Sequence, residues 1–119
     1  MSTILFCEDD PAVQKLIRMA LRNSVHEVHI AQNGRDGLRM AKELRPVVLF
    51  SDVAMPLMDG FQLAEALQAD PDLAHIPVVF ITASVQRHDI DEAMRRGAKR
   101  VISKPFTVVQ LRDLVAEFA

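Results

Sequence analysis

Short runs of consecutive apolar residues recur along the chain, and longer, more polar stretches separate them. The runs are Ile4–Cys7, Val47–Phe50, Val78–Ile81 and the weaker pair Val101–Ile102. A fifth segment, EVHIA from Glu27, alternates between polar and apolar residues. Short apolar runs bounded by turn residues are typical of β-strands. The pattern therefore predicts five strands.

The stretches between these runs carry apolar residues at helical spacing, three or four positions apart. Such faces occur at Val13, Leu16, Ile17, Ala20 and Leu21, at Ile90, Ala93, Met94 and Gly97, at Val108, Leu111, Leu114, Val115 and Phe118, and more loosely at Leu38, Ala41 and Leu44. Asp10 before Pro11 has the order of a helix cap followed by a first helical residue, and Asp59 before Gly60 marks another helix start. Helices are therefore expected to alternate with the strands.

The continuous apolar character of most strands indicates how the sheet is covered. A strand with one face in water alternates polar and apolar residues, whereas a strand of a parallel sheet lies between two layers of helices. We therefore predict a single doubly wound α/β domain over residues 1–119, with a five-stranded parallel sheet flanked by five helices.

Composition and charge exclude several other classes of protein. The 119 residues suffice for one domain, and a net charge of -2 gives no overall attraction to nucleic acid or to an anionic membrane. No apolar stretch approaches the length of a membrane helix, and the N-terminus lacks the features of a signal peptide. We expect a cytoplasmic protein without membrane insertion or direct nucleic-acid binding. The single cysteine, Cys7, is interpreted as a core residue. The basic cluster Arg95, Arg96, Lys99 and Arg100 is interpreted as a solvated face, with a docking patch for a partner as the alternative.

Polar residues follow four of the apolar runs. They are Glu8 and Asp9, Ser51 and Asp52, Thr82, and Ser103 and Lys104. Because open α/β sheets bind ligands beyond the carboxyl ends of their strands, these side chains are expected to surround one cleft.

Three carboxylates in one cleft repel each other unless a proton or a cation neutralises them. A hard dication such as Mg²⁺ suits carboxylate ligands and phosphate oxygens, whereas Zn²⁺ favours His and Cys ligands, which this edge lacks. A metal, a lysine and a hydroxyl suit a phosphoryl group, and a carboxylate can itself be the nucleophile that accepts it.

Four segments resemble the motifs of bacterial response-regulator receiver domains. SDVAMPLMDG, from Ser51 to Gly60, is similar to the family's phosphoacceptor segment, and FCEDDP to its acidic pair. FITAS is similar to the Thr-Ala that ends strand four, and ISKPF to the Lys-Pro-Phe after strand five. The resemblance extends from about Ile4 to Phe118.

This resemblance implies a role for each site residue. Asp52 would be the phosphorylated aspartate, and Thr82 and Lys104 would contact phosphoryl oxygens. Magnesium, for which Mn²⁺ can substitute, would be bound by Glu8, Asp9, Asp52 and the backbone carbonyl of Ala54. The family also implies a flavodoxin-like, chemotaxis-receiver-like sheet in the order 2-1-3-4-5 and a cis bond between Lys104 and Pro105.

The resemblance also implies partners. The phosphodonor would be a sensor histidine kinase or a histidine phosphotransfer protein. An output domain or a downstream protein would bind the face formed by helix four, strand five and helix five. The domain would promote only its own phosphorylation and dephosphorylation and would not otherwise be an enzyme.

One position departs from the usual pattern, and two further positions bear on how long the phosphoryl group would last. Receivers often carry an aromatic residue where this chain has Val101, so we hypothesise a switch that relies on Thr82, the loop from Ala83 to His88 and movement of helix four. Ala54 and Ser84 carry no carboxylate or amide to orient a hydrolytic water, which predicts no unusually fast loss of the phosphoryl group.

Two alternatives remain open at this point. A phosphatase of the haloacid dehalogenase type also uses an aspartate nucleophile with Mg²⁺, but it typically has a second aspartate where this chain has Ala54. A receiver-like interaction module that acts without phosphorylation is disfavoured by the complete set of acidic residues, threonine and lysine.

Overall fold

Strands and helices alternate along the part of the chain that the structure, a computed structural model, describes: residues 2–83 and 87–119, without the side chains of residues 87–89. The strands are Thr3–Cys7 (β1), Glu27–Ala31 (β2), Val48–Asp52 (β3), Val78–Thr82 (β4) and Arg100–Ser103 (β5). The helices are Pro11–Ala20 (α1), Gly34–Leu44 (α2), Gly60–Ala69 (α3), Arg87–Arg95 (α4) and Val108–Phe118 (α5).

All five strands are parallel and lie in the order β2-β1-β3-β4-β5, as expected. The register aligns the carboxyl ends of neighbouring strands. Cys7 pairs with Ser51, and Thr82 pairs with Ser103. The polar residues that follow these strands are therefore brought to one edge of the sheet.

Helices cover both faces of this sheet. Leu5, Leu49 and Phe80 belong to one core cluster with residues of α2, α3 and α4, whereas Phe6 and Phe50 belong to the other with residues of α1 and α5. Side chains of consecutive strand residues point to opposite faces, so a strand buried on both sides has no polar face. The doubly wound architecture predicted from the continuous apolar runs is confirmed.

Helix caps lie where the sequence predicts them. The side chain of Asp10 accepts a hydrogen bond from the backbone N–H of Ala12 at 2.9 Å, with Pro11 at the first helical position. Asp59 and Gln62 form a capping box at the start of α3, since each side chain accepts from the other's backbone N–H. The side chain of Asp10 therefore caps α1, and Asp10 is not among the residues of the acidic cluster.

Several predicted boundaries differ in the structure by one or two residues. β3 begins at Val48 rather than Val47, which is 42% exposed. α4 ends at Arg95, so Gly97 lies beyond the helix with φ of 92°. Gly97 N–H donates to the Met94 carbonyl and Ala98 N–H to the Ala93 carbonyl, both at 3.1 Å, which is a Schellman motif. Glycine there ends the helix instead of extending its apolar face.

Cys7 is a core residue, as predicted, with 1% of its surface exposed. Burial raises the pKa of its thiol to about 12, so the reactive thiolate is not formed near neutral pH. Among the described residues, no helix has both the length and the apolar character needed to cross a bilayer.

Arg45 provides a test of the backbone conformation at the end of α2. It adopts the left-handed conformation, with φ of 48° and ψ of 62°, and its N–H donates to the Ala41 carbonyl. This conformation is unfavourable by roughly 1–2 kcal/mol for a residue with a Cβ but not for glycine. Arg45→Gly is therefore expected to raise the free energy of unfolding by about 1 kcal/mol in urea denaturation.

Lys42→Gly is the matched control for that variant. Lys42 is exposed inside the same helix, where glycine costs about 1 kcal/mol. The two substitutions should therefore have opposite signs, and a loss of stability in Arg45→Gly would contradict the assigned conformation.

Candidate functional site

The acidic residues after β1 and at the end of β3 meet at the carboxyl edge of the sheet. Glu8, Asp9 and Asp52 each offer a carboxylate oxygen, and these atoms lie within 4.8 Å of one another. Glu8 and Asp52 are nearly buried, at 3% and 8% exposed, whereas Asp9 is exposed to solvent. Oxygen donors at this spacing match a hard dication, so the cluster could hold a metal ion.

Lys104 lies between two of these carboxylates. Its Nζ is 2.7 Å from Glu8 Oε1 and 2.8 Å from Asp52 Oδ2. The lysine follows β5, and its backbone N–H donates to the Thr82 carbonyl at 2.8 Å, which links the ends of β4 and β5. The positive charge that the acidic edge requires is therefore supplied in part by the protein itself.

The surroundings shift the pKa values of this ion pair. Burial raises the pKa of Glu8, and hydrogen bonds from Lys104 and from the Asp10 backbone N–H oppose that effect only in part. Burial by itself would lower the pKa of Lys104, but its hydrogen bonds to Asp52 and Glu8 outweigh burial and raise it. Lys104 is therefore a permanent cation at physiological pH.

The backbone around Glu8 is held by a residue that the motifs did not indicate. Gln14 is buried in α1, and its Nε2 donates to the Glu8 carbonyl at 2.6 Å. Gln14 lies three positions before Ile17 on the buried face of α1. A polar residue on an otherwise apolar helical face is the feature of the sequence that could have indicated its role.

The loop after Asp52 packs tightly on the start of α3. The Gly60 N–H donates to the Val53 carbonyl at 2.8 Å, and a Cβ at position 60 would lie 2.4 Å from the Asp52 carbonyl oxygen. The Gly34 N–H donates to the Met58 carbonyl at 3.1 Å, which ties the same loop to α2. Asp52 is therefore presented by a backbone that two helices constrain.

The remaining predicted site residues also lie at this edge. Thr82 ends β4 with 9% of its surface exposed, and Ala54 is exposed in the loop after Asp52. The bond between Lys104 and Pro105 is cis, as the resemblance implied. Ser84 and most of the loop from Ala83 to His88 lie outside the described residues.

The basic cluster makes ion pairs within the domain. Arg95 donates to Glu92, Arg100 donates to Glu117, and Arg96 pairs with both Glu92 and Glu65. Three of the four basic side chains thus have acidic neighbours on their own surface, which agrees with a solvated face.

A five-stranded parallel sheet in the order 2-1-3-4-5, with an acidic cluster and a lysine at its carboxyl edge, defines the class of chemotaxis-type receiver folds. The family model for the response regulator receiver domain matches residues 4–116. The chain belongs to this family and is a receiver domain of two-component signalling.

Individual relatives agree with this assignment. The chain is 33% identical to Protein PilH of Pseudomonas aeruginosa over 105 residues, which cover 88% of this chain and 87% of PilH. It is also 33% identical to the transcriptional regulator RpaA of Synechocystis over 111 residues, 93% of this chain but only 46% of RpaA. The chain thus spans nearly the whole of one relative and about half of the other.

Solved structures show the same fold. The chemotaxis response regulator CheY4 of Vibrio cholerae superposes with a TM-score of 0.91 at 26% identity, over 100% of this chain and 99% of that one. The receiver domain of a histidine kinase from Syntrophus aciditrophicus gives a TM-score of 0.88 at 32% identity, over 99% of this chain and 89% of that one.

Proposed function

We propose that residues 1–119 form one phosphoacceptor domain of a two-component system and that Asp52 receives the phosphoryl group. The observation that carries this proposal is the position of the Asp52 carboxylate. It lies 2.8 Å from the Lys104 ammonium, and its oxygen lies within 4.8 Å of carboxylate oxygens of Glu8 and Asp9, close enough for the three to bind one metal ion. A nucleophilic carboxylate, a fixed cation and a potential metal site therefore meet at one accessible edge.

The chemistry follows from these positions. Lys104 holds one oxygen of Asp52, and we assign the attack on phosphorus to the other. As the new P–O bond forms, the P–N bond of a phosphohistidine breaks and its electron pair returns to the imidazole. Lys104 and Thr82 stabilise the charge on the phosphoryl oxygens in a nearly buried site, where electrostatic interactions are stronger than in water.

A divalent cation would complete this set of charges. Glu8, Asp9, Asp52 and the backbone carbonyl of Ala54 would hold Mg²⁺ or Mn²⁺, and the ion would supply further neutralisation of phosphoryl oxygens. One solved structure similar to this chain, response regulator Rcp1, is a Mn²⁺-bound form, with a TM-score of 0.82 at 25% identity. That metal-bound relative and the three-carboxylate cluster support the same class of ligand here.

The phosphodonor we propose is a sensor histidine kinase or a histidine phosphotransfer protein. Phosphorylation adds charge at one edge of the domain and changes the relative free energy of two conformations. The output would be read by another domain or protein on the face of α4, β5 and α5. The domain catalyses nothing besides the gain and loss of its own phosphoryl group.

Mass spectrometry of the intact chain tests the acceptor assignment. After incubation with acetyl phosphate and Mg²⁺, the wild type is expected to gain the mass of one phosphoryl group, and Asp52→Asn is expected to gain none. Asp59→Asn is a suitable control, because Asn retains the helix cap and the substitution lies on the same loop. An adduct of equal yield in Asp52→Asn would refute the assignment.

Ala54→Asn is expected to shorten the lifetime of the phosphorylated state. Ala54 lies in the exposed loop after Asp52, and its methyl group cannot orient a water molecule. An amide at this position can hydrogen-bond the attacking water. We therefore expect the phosphorylated state to decay about threefold to tenfold faster, which corresponds to a hydrolysis barrier roughly 1 kcal/mol lower. Ala69→Asn, at the exposed end of α3, is the control, and equal decay rates in the two variants would contradict this placement of the site.

A further inference from the structure

A pocket of about 350 Å³ opens beside Asp52 on the sheet face covered by α3 and α4. Asp52, Thr82 and Lys104 form its polar end, and Phe61, Ala93 and Val101 belong to its apolar wall. An apolar space of about 150 Å³ is enough to hold a benzene ring. With valine at position 101, the pocket therefore has room for an aromatic side chain to move next to Thr82.

Phe61 is the aromatic residue among the described side chains that line this pocket. It is the second residue of α3, and its ring packs edge-on against Phe80 with centroids 5.3 Å apart and an interplanar angle of 83°. Phe80 is fully buried in β4, two positions before Thr82. The Phe61 ring is thus held against the sheet by Phe80 while the side chain borders the pocket.

Arg96, directly after α4, lies over the same ring. Its guanidinium carbon is 4.9 Å from the ring centroid, within the range of a cation–π interaction. The Arg96 Nε donates to Glu92 Oε1 at 2.7 Å, and the guanidinium also pairs with Glu65 of α3. The Phe61 ring is therefore in contact both with the pocket beside Asp52 and with the ion pairs that hold the end of α4.

We propose that Phe61 is the positioning residue that couples the phosphoacceptor site to α4 through Arg96. This inference rests on the proposed function. Movement of Thr82 towards a phosphoryl group on Asp52 changes the shape of the pocket, and the Phe61 ring shifts into the space beside Val101. The ring then meets the Arg96 guanidinium differently in the two states, which gives α4 the difference in interaction free energy that a switch requires.

Phe118 provides a matched control within the same chain. Its ring is also edge-on to a core phenylalanine, Phe50, with centroids 6.3 Å apart, and it also lies under an arginine, Arg100, at 5.5 Å. It belongs to α5 and packs in the core cluster on the opposite face of the sheet. Truncating Phe118 removes the same kinds of contact without altering the pocket beside Asp52.

NMR of the arginine side chains tests the coupling. The Arg96 Nε–H signal would be recorded in the full chain with and without Mg²⁺ and beryllofluoride, which mimics a phosphoryl group on Asp52. We expect the signal to shift in the wild type and in Phe118→Leu, and the shift to be lost in Phe61→Leu. Phe61→Met, whose unbranched side chain has about the volume of leucine but adapts more easily to the surrounding space, serves the same purpose if the leucine variant does not fold.

Intact mass after acetyl phosphate treatment separates this inference from the proposed function. An adduct on Phe61→Leu together with an unshifted Arg96 signal supports the coupling. An Arg96 shift that persists in Phe61→Leu, or that disappears equally in Phe118→Leu, overturns it, as does a phosphorylated wild type whose Arg96 signal does not move. A wild-type chain that gains no phosphoryl group refutes the proposed function itself, and the coupling with it.

Discussion

Lys104→Met is expected to lower the free energy of unfolding by about 3 kcal/mol in the absence of metal. The ammonium neutralises Glu8 and Asp52, which are 3% and 8% exposed, and removing one partner leaves buried charge without compensation. Because the ammonium also competes with a cation for the carboxylates of Glu8 and Asp52, the variant should bind Mg²⁺ more tightly than the wild type. Urea denaturation with and without Mg²⁺ measures both effects.

A double-mutant cycle with Glu8→Gln isolates the electrostatic part of this effect. Glutamine keeps the shape of the side chain but removes the charge that Lys104 balances, so the two substitutions together should cost less than the sum of their separate effects. Strict additivity would contradict a direct ion pair between Lys104 and Glu8. A lower Mg²⁺ affinity in Lys104→Met would contradict competition for the carboxylates.

Gly60→Ala is expected to destabilise the protein by about 3 kcal/mol and to disturb the site itself. The added Cβ would lie 2.4 Å from the Asp52 carbonyl oxygen and 3.0 Å from the Val53 Cα. Both neighbours are backbone atoms, so the clash can be relieved only by moving α3 or the end of β3. Urea denaturation measures the loss, and the adduct yield with acetyl phosphate should fall with it.

Gly37→Ala is the control that separates a backbone clash from a side-chain clash. A Cβ at position 37 would lie 2.5 Å from the Cys7 Sγ, which is a side-chain atom. Cys7→Ala removes that sulfur and should recover much of the stability that Gly37→Ala loses. No such compensating truncation exists for Gly60, and wild-type stability in Gly60→Ala would contradict the observed packing of α3 on the Asp52 backbone.

Most of the fold could be predicted because burial on both faces leaves a strong pattern in the sequence. Continuous apolar runs such as Leu5 to Cys7 lie in the sheet, and the caps at Asp10 and Asp59 begin the helices they were assigned to. The order of the strands came only from the family resemblance, since periodicity does not encode which strands are neighbours. The end of α4 was missed because the spacing of Gly97 fits a helical face, whereas its positive φ terminates the helix.

The sequence also predicted which residues lie together in the candidate site, because parallel strands place their carboxyl ends at one edge of the sheet. The bridging position of Lys104 was not, since pattern alone does not say which of several charges a flexible side chain contacts. Long-range contacts were equally hidden. Arg96 pairs with Glu65, 31 positions earlier, and Arg100 pairs with Glu117, 17 positions later. Phe61 carried no recognisable signal, because an apolar residue at a helix start ordinarily indicates core packing.

Chemical mapping of the phosphorylated residue tests whether Asp52 accepts the phosphoryl group. Borohydride reduces an acyl phosphate of aspartate to homoserine, so the wild-type chain would be treated with acetyl phosphate and Mg²⁺, reduced, digested and sequenced by mass spectrometry. We expect homoserine at position 52, and only when both Mg²⁺ and the phosphodonor are present. Homoserine at another aspartate, or a phosphoryl adduct that leaves Asp52 unchanged after reduction, would contradict it.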